Sequence, residues 1–436
     1  MRKYLRHIQG ESLKAQLIRG AGGSAGIQVV NLLLTLVSGV LLARTLGPES
    51  YGTYAFVLSI ITLLSLPAKA GLPTLLVRET AKNQLNKDWG LMRGLLKASN
   101  LFAIGYSVIV VTIVGSWLLL RGDDTLETAT LLWALLLLPL MAFEAVRTGT
   151  LRGLRWVLSA QAPEQIVRPA TVILLVGSVV LLGSELSAVR AIQFNVIGAL
   201  LAFTLGVFLL LKALPQRAKT AESKYNIKPW AASLLPLSLF AGLKLLDSQV
   251  SILFLGFLAT SEEVGLFRVA ATGAALVAFG LNAVNMAMAP QIARLYNSGE
   301  LEKLQRTITL STRVVALVSF PVAIVLIVFG GPIIDIVFGQ EYVSAAALTI
   351  LCLGQLVNAS AGSVALVLNM TGNDKSTVIG AALALIVNLI LCLILVPFLG
   401  LVGAAIGYSI SLSVWNVLLM FMVRKKLGIN TFVFAK

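Results

Sequence analysis

Apolar residues along this chain occur in long continuous runs and not in alternation with polar ones. Twelve runs approach the length of about 20 residues that a helix needs to cross the hydrocarbon core of a membrane. Continuous runs exclude a transmembrane barrel, whose strands alternate apolar and polar positions. The pattern predicts spans over 24–46, 52–72, 98–120, 128–148, 166–183, 187–211, 231–259, 264–287, 309–330, 343–369, 377–396 and 401–423.

The composition indicates the same class of protein. Of the 436 residues, 58% are hydrophobic and 12% are charged, whereas soluble domains carry about 25% charged residues. A soluble fold is therefore excluded, and so is a disordered chain, because disorder requires low hydrophobicity. Cys352 and Cys392 lie in apolar runs and are interpreted as buried thiols, not as a disulfide or a metal site.

Lysine and arginine are distributed unevenly between the loops. With the N-terminus placed inside, 24 of the 34 Lys and Arg residues fall in inside segments, and only Arg121 falls in an outside loop. The outside turns carry acids instead, among them Glu49, Asp124 and Glu262. The positive-inside rule then predicts that both termini are cytosolic. This distribution accounts for most of the net charge of +15 without any binding of nucleic acid.

Two turns of the chain share a pattern. LGPESYGTYAFV and LATSEEVGLFRVA both join an acidic turn to Gly-x-aromatic, with Gly52 and Gly265 separated by 213 residues. Either all polytopic helices look alike in this way, or the chain repeats as two six-helix lobes that meet at a central cleft. The second interpretation predicts a basic segment at 1–23, a first lobe at 24–211, a cytosolic linker at 212–230, a second lobe at 231–423 and a cytosolic tail at 424–436.

Charged residues inside the spans are candidates for function, because a charge at the centre of a membrane costs roughly 2.5–3.5 kcal/mol on insertion scales. Lys244 and Asp247 lie near the centre of span seven, three residues apart on one helical face. They form either a self-neutralising ion pair or part of a wet cavity. In that cavity Lys244 contacts an anion, and Asp247 holds Lys244 in place or exchanges a proton.

Other charges lie nearer the span ends. Glu144 and Arg147 have the spacing of a second pair, in span four, and Lys69 lies in PAKAGLP, an irregular helix end. Arg44 and Arg268 lie close to the outside ends of their spans, where long side chains also reach the headgroups. Snorkelling to the headgroups is the interpretation favoured for four further cations: Lys97, Arg168, Arg190 and Arg313.

Polar amides recur in pairs, at the three-residue spacing that places both members on one helical face. They are interpreted as interhelical hydrogen-bonding groups or as the lining of a cleft. The pairs are Gln28 with Asn31, Asn282 with Asn285, and Gln355 with Asn358.

Patterns typical of catalysis are absent from the sequence. The chain has one histidine, no spacing of metal ligands and no G-x-x-x-x-G-K-[ST] phosphate loop. It is therefore predicted not to be an enzyme and to need no cofactor and no metal.

The run LLARTLGPESYGTYAFVLSIITLLSL, followed by GLPTLLVRETA, resembles the start of bacterial polysaccharide-biosynthesis membrane proteins. These are O-antigen or exopolysaccharide flippases of the superfamily that also contains the multidrug and toxin extrusion transporters. LKLLDSQVSILFLG, EEVGLF, TGNDK and VPFLGLVGAAIG extend the resemblance over essentially the whole chain. The fold implied is all-α, with twelve transmembrane helices in two six-helix lobes arranged as a V.

The resemblance also implies a function. It implies alternating access that carries an undecaprenyl-diphosphate-linked oligosaccharide across the bacterial inner membrane, with H+ or Na+ as the coupling ion. A polymerase and chain-length proteins of the same pathway are the expected protein partners. The implied substrate-binding residues of the cationic cavity are Lys244 and Lys69, followed by Arg44, Arg147 and Arg268; those for ion coupling are Asp247 and Glu144.

One departure from the family pattern concerns the end of span two. An acid is common in the family just before the Gly-Leu there, whereas this chain has Lys69-Ala70-Gly71-Leu72. A lysine in place of an acid favours an anionic substrate and argues against a site for a coupling cation in the first lobe.

Two alternatives remain open. One is an ion-coupled multidrug or small-molecule antiporter of the same fold, for which the cavity would need a net acidic charge. The other is a membrane enzyme of polysaccharide polymerisation, for which acids on a substantial outside loop are expected.

Overall fold

The fold is described from a computed structural model of the chain. The structure describes residues 13–123 and 125–434, and for residues 13–21, 235 and 236 it describes the backbone only. Residues 1–12 of the predicted basic segment, Asp124 of the acidic turn and the last two residues of the predicted tail lie outside the described residues.

Over the described ranges the chain is helical and has no strand, which confirms the all-α prediction. A π-helical turn at Pro163–Val167 lies between α7 and α8, and a 3-10 turn at Gln340–Tyr342 precedes α14. The helices are α1 (Leu13–Leu64), α2 (Leu66–Lys69), α3 (Leu72–Asn86), α4 (Trp89–Arg121), α5 (Leu126–Ala134), α6 (Leu137–Gly153), α7 (Val157–Ala162), α8 (Arg168–Leu181), α9 (Ala188–Ala213), α10 (Gln216–Thr220), α11 (Ile227–Leu258), α12 (Ser261–Asn297), α13 (Leu301–Val337), α14 (Ala345–Ala361), α15 (Val364–Met370) and α16 (Asp374–Leu427).

Within the part of the chain that the structure describes, nine helices are long and apolar enough to cross a membrane, or ten when α14 and α15 count as one bent span. Two of these helices, α1 and α16, are about twice the length of a single span. Each is broken at a glycine: Gly47 has φ 73° and ψ 167°, and Gly400 has φ 50° and ψ −126°. Because both breaks fall between predicted spans, the structure is consistent with twelve.

Three predicted spans have irregular backbone that the hydrophobic pattern does not show. The fourth is divided between α5 and α6, and the fifth, predicted from residue 166, begins inside the π-helical turn Pro163–Val167. The tenth bends by 41° between α14 and α15, where Gly362 has a φ of 71°. Hydropathy averages over these breaks because proline and glycine interrupt the backbone without making the run polar.

The helices form two groups. Helices α1 to α9 pack into a first lobe and α11 to α16 into a second, and α12 packs along α1 where the lobes meet. Gly52 of α1 lies directly against the backbone of α12: a Cβ built on Gly52 would collide with the carbonyl oxygen of Ser261 and lie 2.9 Å from the Gly265 backbone nitrogen. The two glycines of the sequence repeat therefore face each other across the lobe interface.

Further contacts join the lobes at the same end of the molecule. Arg44 Nε donates to the carbonyl of Val337 at 2.8 Å, and Arg44 Nη2 donates to the carbonyl of Ile336. The Tyr342 hydroxyl donates to the carbonyl of Ala43 at 2.8 Å. We call this end, which also carries the break at Gly47, the closed end. The opposite end, which carries the linker between the lobes, is the cleft end.

The linker is attached to the first lobe. The Lys224 backbone N–H donates to the carbonyl of Gly90 at 2.9 Å, and Arg93 Nη1 donates to the carbonyl of Ala221 at 2.6 Å. A side chain at Gly94 would collide with the Lys224 backbone, so a glycine is needed for the linker to lie against α4. The linker is thus held on α4 and is not a free tether between the lobes.

Candidate functional site

Three cavities lie between and within the lobes. A central cleft of about 820 Å³ separates the N-terminal part of α1 from α12. It adjoins a first-lobe cavity of about 350 Å³ and a second-lobe cavity of about 300 Å³. Asn31 and Thr35 line both the cleft and the first-lobe cavity, and Asn282 and Asn285 line both the cleft and the second-lobe cavity. The three spaces therefore adjoin one another.

An arginine on the wall of the first-lobe cavity is held by two neighbours, one of which is itself held by a tyrosine. Arg168 Nη1 lies 2.5 Å from Glu164 Oε1, and Arg168 Nη2 donates to Asn195 Oδ1 at 3.3 Å. Asn195 in turn donates to the Tyr54 hydroxyl at 2.6 Å. Glu164 lies in the π-helical turn, so the turn sets the position of this ion pair. Arg168 is fixed in orientation and largely neutralised.

The second cation of the first-lobe cavity comes from the other lobe. Arg268 projects from α12 and lines the cavity together with Tyr51 of α1. It lies within hydrogen-bonding reach of the Tyr51 hydroxyl. Among the described residues Arg268 has no acidic partner, so its charge is available to a ligand. It is only three residues from Gly265, which places this cation beside the closed end.

Lys244 and Asp247 both line the second-lobe cavity, but they do not pair. The Lys244 ammonium lies 5.8 Å from the ring centroid of Trp415, and no acid lies within ion-pair distance of it over the described ranges. Asp247 Oδ1 instead accepts hydrogen bonds from Asn388 at 2.9 Å and Ser411 at 3.4 Å. Of the two sequence interpretations, the self-neutralising pair is therefore wrong. An aromatic ring holds the ammonium without cancelling its charge.

The predicted pair between Glu144 and Arg147 is also wrong. Lys69 Nζ lies 3.2 Å from Glu144 Oε2, so the partner of Glu144 comes from α2. Arg147 is 2% exposed, and its Nη1 donates to the carbonyl of Ala202 at 2.8 Å. Its guanidinium lies against Gly206 of α9, where a Cβ would collide with it. Arg147 turns towards α9 because only a glycine there leaves room.

The remaining sequence candidates do not line the three cavities. Arg44 lies at the closed end and bonds to α13, and neither it nor Lys69 lines any of the three cavities. Arg147 and Glu144 border a small space of about 10 Å³ inside the first lobe, which shares Glu164 and Arg168 with the first-lobe cavity. The structure thus brings Lys244, Asp247 and Arg268 to the three adjoining cavities.

Sequence reasoning missed the ion pair of Glu164 and Arg168, because Arg168 lies close enough to a span end to be interpreted as snorkelling. A signal was present: the Glu-Arg pair has i,i+4 spacing and lies between Pro163 and Pro169. One proline just before a predicted span and a second within it indicate an irregular helix, and irregular backbone at membrane depth is tolerated only against protein or a water-filled cavity.

No group of three or more His, Cys, Asp or Glu side chains in the described ranges is arranged to hold a metal ion. The lining of the three cavities combines three cations with two carboxylates, together with amides and aromatic rings. Such a lining can bind an anion and a polar, uncharged group.

Comparison with known protein families identifies the family to which this chain belongs. A family described as polysaccharide biosynthesis protein matches residues 41–347 of this chain. The chain belongs to that family. It is a membrane protein with multiple spans, which agrees with the resemblance found in the sequence.

Individual relatives point in the same direction. A "Probable low-salt glycan biosynthesis flippase Agl15" of Haloferax volcanii is 26% identical over 386 residues, which cover 86% of this chain and 77% of the relative. Among solved structures, "Lipid II flippase MurJ, inward closed conformation" superposes with a TM-score of 0.73 at 15% identity, covering 91% of this chain and 86% of that one.

A second solved structure shows the same fold. It is an inward-facing multidrug resistance MATE family transporter of the MOP superfamily, with a TM-score of 0.72 at 16% identity, covering 91% of this chain and 94% of that one. At such identities the likeness concerns the fold alone.

Proposed function

We propose that this protein is a flippase that carries a polyprenyl-diphosphate-linked oligosaccharide across the membrane by alternating access. The observation that carries the proposal is the set of three adjoining cavities, which is shut at the closed end and is lined by the unneutralised cations Lys244 and Arg268. The family of the chain and its glycan-flippase relative support a substrate from glycan assembly.

The charges of the cavities suit an anionic headgroup. Because Arg168 is paired with Glu164, the cations left for a ligand are Arg268 in one wall and Lys244 in the other. A diphosphate carries roughly two negative charges, and each charge pair at 4 Å is worth about 4 kcal/mol at the effective dielectric constant near a protein surface. The lipid tail remains in the bilayer while the head crosses the cleft.

The proposed orientation places the cleft end in the cytosol, in agreement with the concentration of Lys and Arg in that end's loops. Moving negative charge outwards across a membrane that is negative inside gains about 2.3 kcal/mol per charge per 100 mV. We propose the bacterial inner membrane as the location and undecaprenyl as the lipid. The curated relative is archaeal, so the experiment below includes a second polyprenyl carrier.

For the coupling ion, H+ or Na+, we propose Asp247. It lines the second-lobe cavity and its carboxylate is surrounded by the hydrogen-bond donors of Asn388 and Ser411. Glu144 is supported less well, because Lys69 neutralises it. The predicted lobes, 24–211 and 231–423, are proposed to move as two rigid bodies, and the protein is proposed not to be an enzyme.

An antiporter of cationic drugs is the second candidate function, and the same fold supports it. The cavity lining argues against it. Of its two carboxylates, Glu164 is paired with Arg168, so Asp247 is the one remaining negative charge against the two cations Lys244 and Arg268. The cavities therefore carry a net positive charge, which disfavours a cationic substrate.

The test uses the purified chain in proteoliposomes and a fluorescent undecaprenyl-diphosphate oligosaccharide, with a dolichyl-linked probe as the second arm. Lys244→Gln and Arg268→Gln are each expected to lower the rate of translocation at least tenfold. Lys219→Gln, which removes a cation from the linker, is the control and is expected to leave the rate unchanged. Rates in both cavity variants that equal the wild-type rate with both probes would overturn the proposal.

A further inference from the structure

The second-lobe cavity differs in its chemistry from the first-lobe cavity. Its wall carries carboxamides from three helices: Asn282 and Asn285 of α12, Gln355 and Asn358 of α14, and Asn416 of α16. The first-lobe cavity has three carboxamides, Asn31, Asn195 and Gln249, together with an ion pair, a second arginine and two tyrosines. Asn195 is bonded to Arg168 and Tyr54, and Gln249 donates to Ser248. Helices that are distant in sequence thus converge to form a ring of five amides in the second lobe, with more amides and fewer charges than the wall of the first-lobe cavity.

Part of this ring has no partner within the protein. The side-chain oxygen of Asn285 is buried without a hydrogen bond over the described ranges. Asn358 donates to Gln355 Oε1 at 3.1 Å, which leaves the Asn358 oxygen as an acceptor. An unpaired buried acceptor is unfavourable, so a ligand that donates hydrogen bonds at this point is favoured.

A carboxamide carries two donors and an acceptor with two lone pairs, and a hydroxyl group both donates and accepts. A ring of amides therefore matches a group that presents several hydroxyls. Asp247, the one carboxylate of this cavity, is directed at Asn388 and Ser411 of α16. Trp415 supplies a flat apolar wall beside the amides, and the apolar face of a sugar ring packs against such a wall.

We propose that the second-lobe cavity is a glycan-reading subsite that binds an uncharged, hydroxyl-rich sugar unit, with Asn285 and Asn358 as its specificity-determining residues. The inference rests on the proposed flippase function and assigns a division of labour to it: the diphosphate is held between Arg268 and Lys244, and the sugar is held at the amides beside Lys244. At about 300 Å³ the cavity is at the small end of ligand pockets, so it reads a short piece of the glycan and not the whole oligosaccharide.

The test compares two substrates that share one lipid diphosphate. One is the lipid-linked oligosaccharide extracted from cells that make this protein, and the other is the same material trimmed enzymatically to its first sugar. In proteoliposomes, Asn285→Ala combined with Asn358→Ala is expected to lower translocation of the complete glycan at least tenfold, and of the trimmed one less than twofold. Arg268→Gln is expected to lower both equally.

The control is Asn100→Ala, which removes an amide that bonds only to the carbonyl of Leu96 within its own helix; it is expected to change neither rate. A second readout uses the oligosaccharide freed from its lipid and diphosphate. It is expected to quench tryptophan fluorescence of the wild type, and the quenching is lost in Trp415→Phe and in the double amide variant.

The outcomes separate the two proposals. If the amide variant slows both substrates equally, or if the freed oligosaccharide quenches wild type and variant alike, the glycan-reading subsite is overturned while flipping stands. If the wild type moves neither substrate, the proposed function fails and the subsite fails with it.

Discussion

The approach of Gly52 to Gly265 makes a sharp prediction about the closed end. A Cβ on Gly52 would lie 2.9 Å from the Gly265 nitrogen and closer still to the carbonyl oxygen of Ser261, and a Cβ on Gly265 would lie 3.3 Å from the Gly52 nitrogen. The atoms in the way belong to the backbone, so no side chain can turn aside to make room. Gly52→Ala must therefore push α1 and α12 apart at this end.

The magnitude follows from the cost of overpacking. Inserting a methyl group into a tightly packed contact costs about 1–3 kcal/mol, and the cost falls only on the state in which the lobes touch. The balance between the closed and opened states should therefore shift towards opening by roughly 5- to 150-fold. Gly265→Ala should act in the same way, and the two changes together should not add, because they perturb one contact.

A cysteine beside the contact measures the shift. Val264 is fully buried next to Gly265, so Val264→Cys reacts with a membrane-impermeant thiol reagent only when the closed end opens. Cys352 and Cys392 are both free and are replaced by alanine in the parent. Gly52→Ala should raise the rate at which the introduced cysteine is labelled by roughly 5- to 150-fold relative to the parent. Gly115→Ala is the matched control, since its Cβ would meet Leu135 at an ordinary 3.7 Å. Equal labelling of Gly52→Ala and the parent would refute the reasoning.

Two further predictions concern the interior of each lobe. Gly206→Ala should lower the melting temperature in detergent, because its methyl group collides with the Arg147 guanidinium. Adding Arg147→Met should restore part of the lost stability. The control Gly177→Ala, whose methyl group would enter open space, should leave the melting temperature unchanged. A double variant no more stable than Gly206→Ala would show that the collision is relieved in another way. Asp247→Asn should change the Na+ or pH dependence of transport in vesicles, because the amide keeps hydrogen bonds to Asn388 and Ser411 but loses the charge; an unchanged dependence would make Asp247 purely structural.

The fold class was accessible from the sequence because the membrane imposes a local rule. Each span must be about as long as the bilayer is thick and must satisfy its backbone internally, so hydropathy alone locates it. The breaks at Gly47 and Gly400 also follow from local signals, namely a glycine beside Pro48 in one case and shortly after Pro397 in the other. The π-helical turn at the start of the fifth predicted span was missed, although Pro163 just before the span and Pro169 within it are visible in the sequence.

The partners of charged residues were not accessible in the same way. The spacing of Glu144 and Arg147, and of Lys244 and Asp247, suggested pairs within one helix. In the structure Glu144 contacts Lys69 of another helix, and Asp247 bonds to Asn388, which is 141 residues away. Spacing along the sequence shows only which side chains share a helical face. Which ion pairs and hydrogen bonds they form depends on the residues that neighbouring helices place beside them.

The sequence by itself determined that this chain spans a membrane many times, that its amides and charges recur at spacings that share a helix face, and that Gly52 and Gly265 follow similar acidic turns. Only the tertiary structure decided that these two glycines touch and shut one end, that Arg268 reaches into the cavity of the other lobe, and that amides from three helices meet. The physical reason is the range over which each constraint acts along the chain. Crossing a bilayer constrains each segment separately, whereas a cavity exists only where segments distant in sequence pack around a common space.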